Sequence, residues 1–170
     1  MKLSEERKQE LEKIYQSYLN DTRIMKMKEI PMHRGSNCYI HSFKVAKLAI
    51  KMASRHKKLN LEVILHACIL HDYYLYDWRK DKSKKKKHGS RHPYLAAQKA
   101  EEDFGISPDV KKAIASHMWP INFKEFPSSE EARILSLADK VIATREFFTS
   151  RGQKQKKEEE YLKNIAILFD

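Results

Sequence analysis

Leu61-Glu62-Val63-Ile64-Leu65-His66-Ala67-Cys68-Ile69-Leu70-His71-Asp72 is apolar on almost every side when wound as a helix, and Asn60 stands before it as a helix cap. A helix with no polar face belongs at the centre of a bundle, so this stretch predicts an all-α core. It ends on an adjacent imidazole and carboxylate. Burial disfavours the charged forms of both, and a divalent cation is one of the few partners that satisfies the two together. The alternative is ordinary: His71 closes the helix and Asp72 begins a turn. His66, five residues before His71 and turned well away from it at ~100° per residue, reads as structural. Cys68 is placed to share a pocket with His71 but also suits the role of a small buried hydrophobe.

Composition supports the helical reading. The 170 residues fit one domain, 41% hydrophobic and 10% aromatic, and four Gly with five Pro are too few for a turn-rich β architecture. The fold class expected is a compact all-α bundle of about six to eight helices. A formal net charge of +11 suggests an anionic partner, but eight Lys and Arg against a single Asp lie between Arg79 and Arg91, which assigns most of that excess to one stretch. Lys84 to Lys87 reads either as a solvated lysine run or as an electrostatic funnel for phosphates. Two isolated cysteines, Cys38 and Cys68, point to a reducing compartment. The N-terminus lacks the apolar core of a signal peptide and no run approaches a membrane span, so the expectation is a cytoplasmic protein with no membrane partner.

Moving outward, Ser4 caps a helix to about Leu19 with Leu11, Ile14, Tyr15 and Tyr18 on its apolar face, and a short segment follows that Pro31 closes. From Asn37 to Arg55, Ile40, Phe43, Ala46, Ala49, Ile50 and Ala53 recur at helical steps, with His41 beside that stripe. Tyr73 to Trp78 form an aromatic cluster, either a plug under the basic stretch or a stacking surface. His92-Pro93 predicts a helix start with Pro at the first position and a stop at Gly105. Ser107-Pro108-Asp109 opens a short helix that delivers His117 at its end, and Ser128 with Glu131 has the spacing of a capping box before the last core helix. In that helix Asp139 falls among Leu137, Ala138, Val141 and Ile142, with Lys140 and Arg145 both poorly phased to pair with it.

His41, His71, Asp72, His92, His117 and Asp139 each have a structural alternative, yet all six are brought to helix ends or apolar helix interiors. Imidazole and carboxylate without thiolate suit one or two divalent transition ions such as iron, manganese, zinc or cobalt. Their order resembles the HD-domain metal-dependent phosphohydrolase superfamily, named for the adjacent His-Asp pair. The wording His33-Arg34-Gly35-Ser36, His71 to Trp78, His92-Pro93, His117-Met118-Trp119-Pro120 and Ala138-Asp139-Lys140 is similar to a bacterial branch described only as HD-domain proteins. The resemblance implies the HD-domain fold. It also implies a first metal held by His41, His71, Asp72 and Asp139, and a second held by His92 and His117, with Asp72 shared. His88 competes with His92 as third histidine. Two departures stand out: many two-metal members carry Lys three residues after the paired Asp, where this chain has Leu75, and the Gly-Tyr-Pro signature of the cyclic-dinucleotide phosphodiesterases is absent.

The implied activity is hydrolysis of a phosphoric ester or phosphoanhydride, with a nucleotide or other small phosphorylated molecule as substrate and Asp72 and His71 at its catalytic heart. Arg34, Arg91, Lys140 and Arg145 are candidates to bind substrate phosphate, and Trp119 or Trp78 to stack on a base. The rival reading is a module that binds nucleic acid, or senses a nucleotide, through the 79–91 stretch. The domain plan expected is an N-terminal helical extension over 1–30, a metal-binding domain over 31–150, and a charged linker with a closing helix or tail over 151–170.

Overall fold

The computed structural model describes residues 3–32, 36–56, 58–76 and 88–148, together with 159–160, 162–163 and 169. His33, Arg34, Trp78, the lysine run, the side chain of His88 and most of 151–170 lie outside the described residues.

Seven α-helices appear among the described residues: α1 (Glu5–Leu19), α2 (Thr22–Met25), α3 (Cys38–Ala53), α4 (Leu61–Leu70), α5 (His88–Phe104), α6 (Pro108–Ser116) and α7 (Glu130–Phe148). A 3-10 turn, Lys26–Glu29, follows α2. The described residues contain no strand, and no helix among them is long and apolar enough to cross a membrane.

Helix α4 is the axis. Asn60 Oδ1 accepts the N–H groups of Glu62 and Val63, and Leu61, Ile64, Leu65, Ala67, Cys68, Ile69 and Leu70 are buried. It touches α1, α3, α5, α6 and α7, the central place that its all-round apolarity demands. Burying each large aliphatic side chain contributes about 1.5–3 kcal/mol. On α3, Phe43 packs edge-on to Tyr15 of α1 with centroids 5.1 Å apart. Tyr18 fixes the other flank of α1, its hydroxyl 2.6 Å from His66 Nδ1, which leaves His66 in the structural role expected of it.

Two helix starts differ from expectation. Helix α5 begins at His88 rather than at His92-Pro93, so Pro93 lies inside it. Its first turn rests on the 118–121 segment, with Gly89 close to Met118 and Ile121, and the proline removes only the bond to the carbonyl four residues earlier. His92 is therefore one turn into the helix rather than at its cap. Helix α7 is capped by Ser129, whose hydroxyl accepts the Ala132 N–H at 3.1 Å. The Ser128–Glu131 capping box does not form, because the Glu131 carboxylate accepts the Asn60 N–H across the bundle at 3.1 Å. Gly105 ends α5 at φ +60°, as the sequence predicts.

The entry to α3 is held on both sides. Cys38 N–H donates to the Ile30 carbonyl and Met32 N–H to that of Ser36, and Asn37 caps the helix through the Ile40 N–H at 2.9 Å. At the far end of the chain Leu162 is buried and its carbonyl accepts the Tyr15 hydroxyl at 3.2 Å.

Candidate metal centre

Five helices deliver six side chains to one place. His41 sits in the first turn of α3, His71 and Asp72 follow the last turn of α4, His92 comes from α5, His117 follows α6, and Asp139 projects from the middle of α7. None of these residues is more than 8% exposed, so the cluster is buried in the core.

His71 and His117 are placed by the same local rule. Each stands just past a helix end, where the last carbonyls have no intrahelical donor. His71 Nδ1–H donates to the Cys68 carbonyl at 2.8 Å and His117 Nδ1–H to the Ile114 carbonyl at 2.7 Å. Both rings thereby aim Nε2 inward. His71 Nε2 is fully buried and has no hydrogen-bond partner, lying 3.5 Å from Asp72 Oδ2 and 3.7 Å from Asp139 Oδ1. An orphaned buried imidazole nitrogen costs free energy, and a cation facing two carboxylates removes that cost.

Asp72 divides the site. Its Oδ2 faces His71, while its Oδ1 lies 3.4 Å from His92 Nε2. His92 Nε2 is in turn 3.1 Å from His117 Nε2. Donor atoms of His41, His71 and Asp72, of His71, His117 and Asp139, and of Asp72, His92 and His117 each fall within 4.8 Å of one another. We call His41, His71, Asp72 and Asp139 the first cluster, and Asp72, His92 and His117 the second.

The electrostatics suit this donor set. Burial opposes ionisation of Asp72 and Asp139, but the surrounding histidines hold both carboxyls below the ordinary value, Asp139 well below it. Burial drives His117 down to about 3, with His71 and His92 adding to the effect, so its ring is neutral. Burial also opposes charge on His41, yet the hydrogen bonds to Asp139 and Glu146 carry it up to about 10. Neutral imidazole and ionised carboxylate are the ligand forms a divalent ion requires, and the protonated His41 ring stands where a cation is wanted. The residues fit one or two such ions.

The sequence reading missed Glu146. It is 7% exposed, and its Oε2 accepts the His41 Nδ1–H at 2.9 Å. Burial resists its ionisation, while His41, Lys44 and Ser36 hold its pKa below the ordinary carboxylate value. The signal was available: Glu146 follows Asp139 by seven residues, two turns along the same face of α7.

The candidate substrate residues are more scattered. Arg91 is exposed and immediately precedes His92, and Arg145 is exposed and immediately precedes Glu146. Trp119, 36% exposed and two residues past His117, meets Phe126 edge-on at 5.4 Å. The Lys140 ammonium is turned to the backbone, donating to the His117 carbonyl at 3.0 Å and to Ser136 Oγ at 2.7 Å.

A family model for the HD domain matches residues 38–144, a span that holds all six clustered residues. The chain belongs to the HD-domain family, whose members are in general metal-dependent hydrolases. No curated protein and no solved structure matches it.

Proposed function

We propose that this protein is a divalent-metal-dependent phosphohydrolase acting on a nucleotide or another small phosphate ester. The observation that carries the reading is Asp72, whose two oxygens face opposite halves of one buried cluster of imidazoles and carboxylates. A carboxylate so placed suits two ions that share it. His41, His71, Asp72 and Asp139 would hold one ion, and Asp72, His92 and His117 the other; iron, manganese, zinc and cobalt all suit these ligands. When bound, such ions supply Lewis acidity toward a phosphoryl oxygen and a more acidic water.

The chain's own contribution is placement and charge. The backbone carbonyls behind His71 and His117 fix which ring nitrogen faces inward. Arg91 and Arg145 offer exposed cations next in sequence to His92 and Glu146 for the phosphate charge that the ions leave uncovered, and Arg34, outside the described residues, is a further candidate from the sequence. Trp119 offers an exposed ring near His117 for a base to stack on.

Metal analysis of protein purified without chelator, run beside hydrolysis of an aryl phosphate and a panel of nucleotides, tests the reading. Bound transition metal and phosphate release, both lost in Asp72→Ala, are the outcomes expected. Protein free of such metal, or an Asp72→Ala variant that keeps full metal content and activity, overturns it.

A further inference from the structure

Within the cluster, His41 differs from His71 and His117 in the partner of its Nδ1. His71 and His117 give their Nδ1–H to backbone carbonyls, whereas His41 gives its own to the Glu146 carboxylate at 2.9 Å. Glu146 is itself anchored: Oε1 accepts the Ser36 hydroxyl at 3.1 Å and lies 3.4 Å from Lys44 Nζ. Held on both oxygens, the carboxylate fixes the His41 ring plane and the position of its Nδ1 proton. Nε2 is then directed to Asp139 Oδ1, 3.1 Å away, and toward the first cluster.

An anionic partner does more than orient an imidazole. It raises the basicity of the opposite nitrogen and adds negative charge next to the ion, and loss of such a partner commonly weakens metal affinity about 10–100-fold. The clusters differ in the same sense. The first holds Asp139 and Asp72 with Glu146 behind, while the second holds Asp72 alone and a His117 backed by a neutral carbonyl.

We propose that Glu146 is the positioning residue of the first cluster and makes it the tighter of the two, loaded before the second. This rests on the reading of the centre as a divalent-metal site. The test is calorimetric titration of chelator-stripped full-length protein with cobalt(II), alongside the visible spectrum of the bound ion and thermal melting of each metal-free variant. In Glu146→Gln, which keeps shape and an acceptor but loses the charge, the tight step weakens about 10–100-fold and the weak step stays within about twofold. Glu146→Leu, which also removes the acceptor, weakens the tight step further.

Independently of whether those two variants fold, His92→Ala retains the tight step and His41→Ala abolishes it. A Glu146→Gln protein that melts as a folded chain and binds its first ion with unchanged affinity and spectrum overturns the proposal while leaving the metal centre intact. So does a tight step that disappears in His92→Ala. Wild-type protein that takes up no cobalt overturns both readings.

Discussion

His92 and His117 face one another with their Nε2 atoms 3.1 Å apart, one imidazole brought by the first turns of α5 and the other by the end of α6. His117 Nδ1–H is committed to the Ile114 carbonyl, and burial keeps the ring neutral, so the Nε2 of His117 is a lone pair pointing at a second nitrogen. Two such nitrogens beside Asp72 Oδ1 are satisfied by one shared proton or by one shared cation.

The cation alternative makes a direct prediction. His117→Ala leaves the first cluster with all four of its own side chains and removes one of the three donors of the second. Elemental analysis is expected to show the metal content falling by half, with hydrolysis falling about 100-fold. Unchanged metal content in a folded His117→Ala protein would mean that the second cluster holds no ion.

Ion binding to the native state alone must also raise stability. At a free concentration about 100 times the dissociation constant, one site contributes about 2.7 kcal/mol. For a chain of this size that is a melting temperature higher by about 5–10 °C. Stripping the protein with chelator and restoring manganese or cobalt, followed by calorimetry, measures it; identical melting with and without metal contradicts the expectation.

A separate pH dependence arises at His66, outside the cluster. Burial lowers its pKa from 6.5, with Glu62 opposing, so the folded chain binds fewer protons there than the unfolded chain does. The stability from neutral His66, hydrogen-bonded to Tyr18, is complete above 6.5 and is lost as pH falls from there through the lower value of the folded state. Chelator-stripped wild-type protein should therefore lose more melting temperature between about pH 7.5 and about pH 5.5 than His66→Gln does. Equal losses in the two proteins would show that His66 takes up its proton as easily folded as unfolded.

What could be read from the sequence followed from residue chemistry that needs no three-dimensional context. The apolarity of Leu61 to Leu70 places α4 at the centre whatever its neighbours are, and imidazoles and carboxylates among buried aliphatics have few other uses. What could not be read depended on contacts between distant segments. The seven-residue step from Asp139 puts Glu146 on the same face of α7, but the partner it meets there follows only from α3 bringing His41 against that face. The start of α5 was misplaced because Pro93 favours a first-turn position, while packing of Gly89 beside Met118 and Ile121 lets the helix begin a turn earlier. Glu131 is likewise taken from its own helix start by a backbone N–H on the loop before α4.

Lys140 is where local and tertiary readings diverge most usefully. As a basic residue beside Asp139 it is a natural phosphate partner, yet its ammonium donates to the His117 carbonyl, the Ser136 carbonyl and the Ser136 hydroxyl, and that hydroxyl itself donates to the His117 carbonyl at 2.8 Å. A cation at the end of α6 complements the negative end of the helix and ties the peptide of His117 to α7. Lys140→Met keeps the aliphatic stem and removes the donors. If the tether is its role, the metal-free protein loses about 1–3 kcal/mol, the second ion binds more weakly, and KM for an aryl phosphate at saturating metal is unchanged. If phosphate binding is its role, KM rises while melting and metal affinity stay at the wild-type level. Hydrogen-bond geometry favours the first outcome, and a KM increase without any change in melting would refute it.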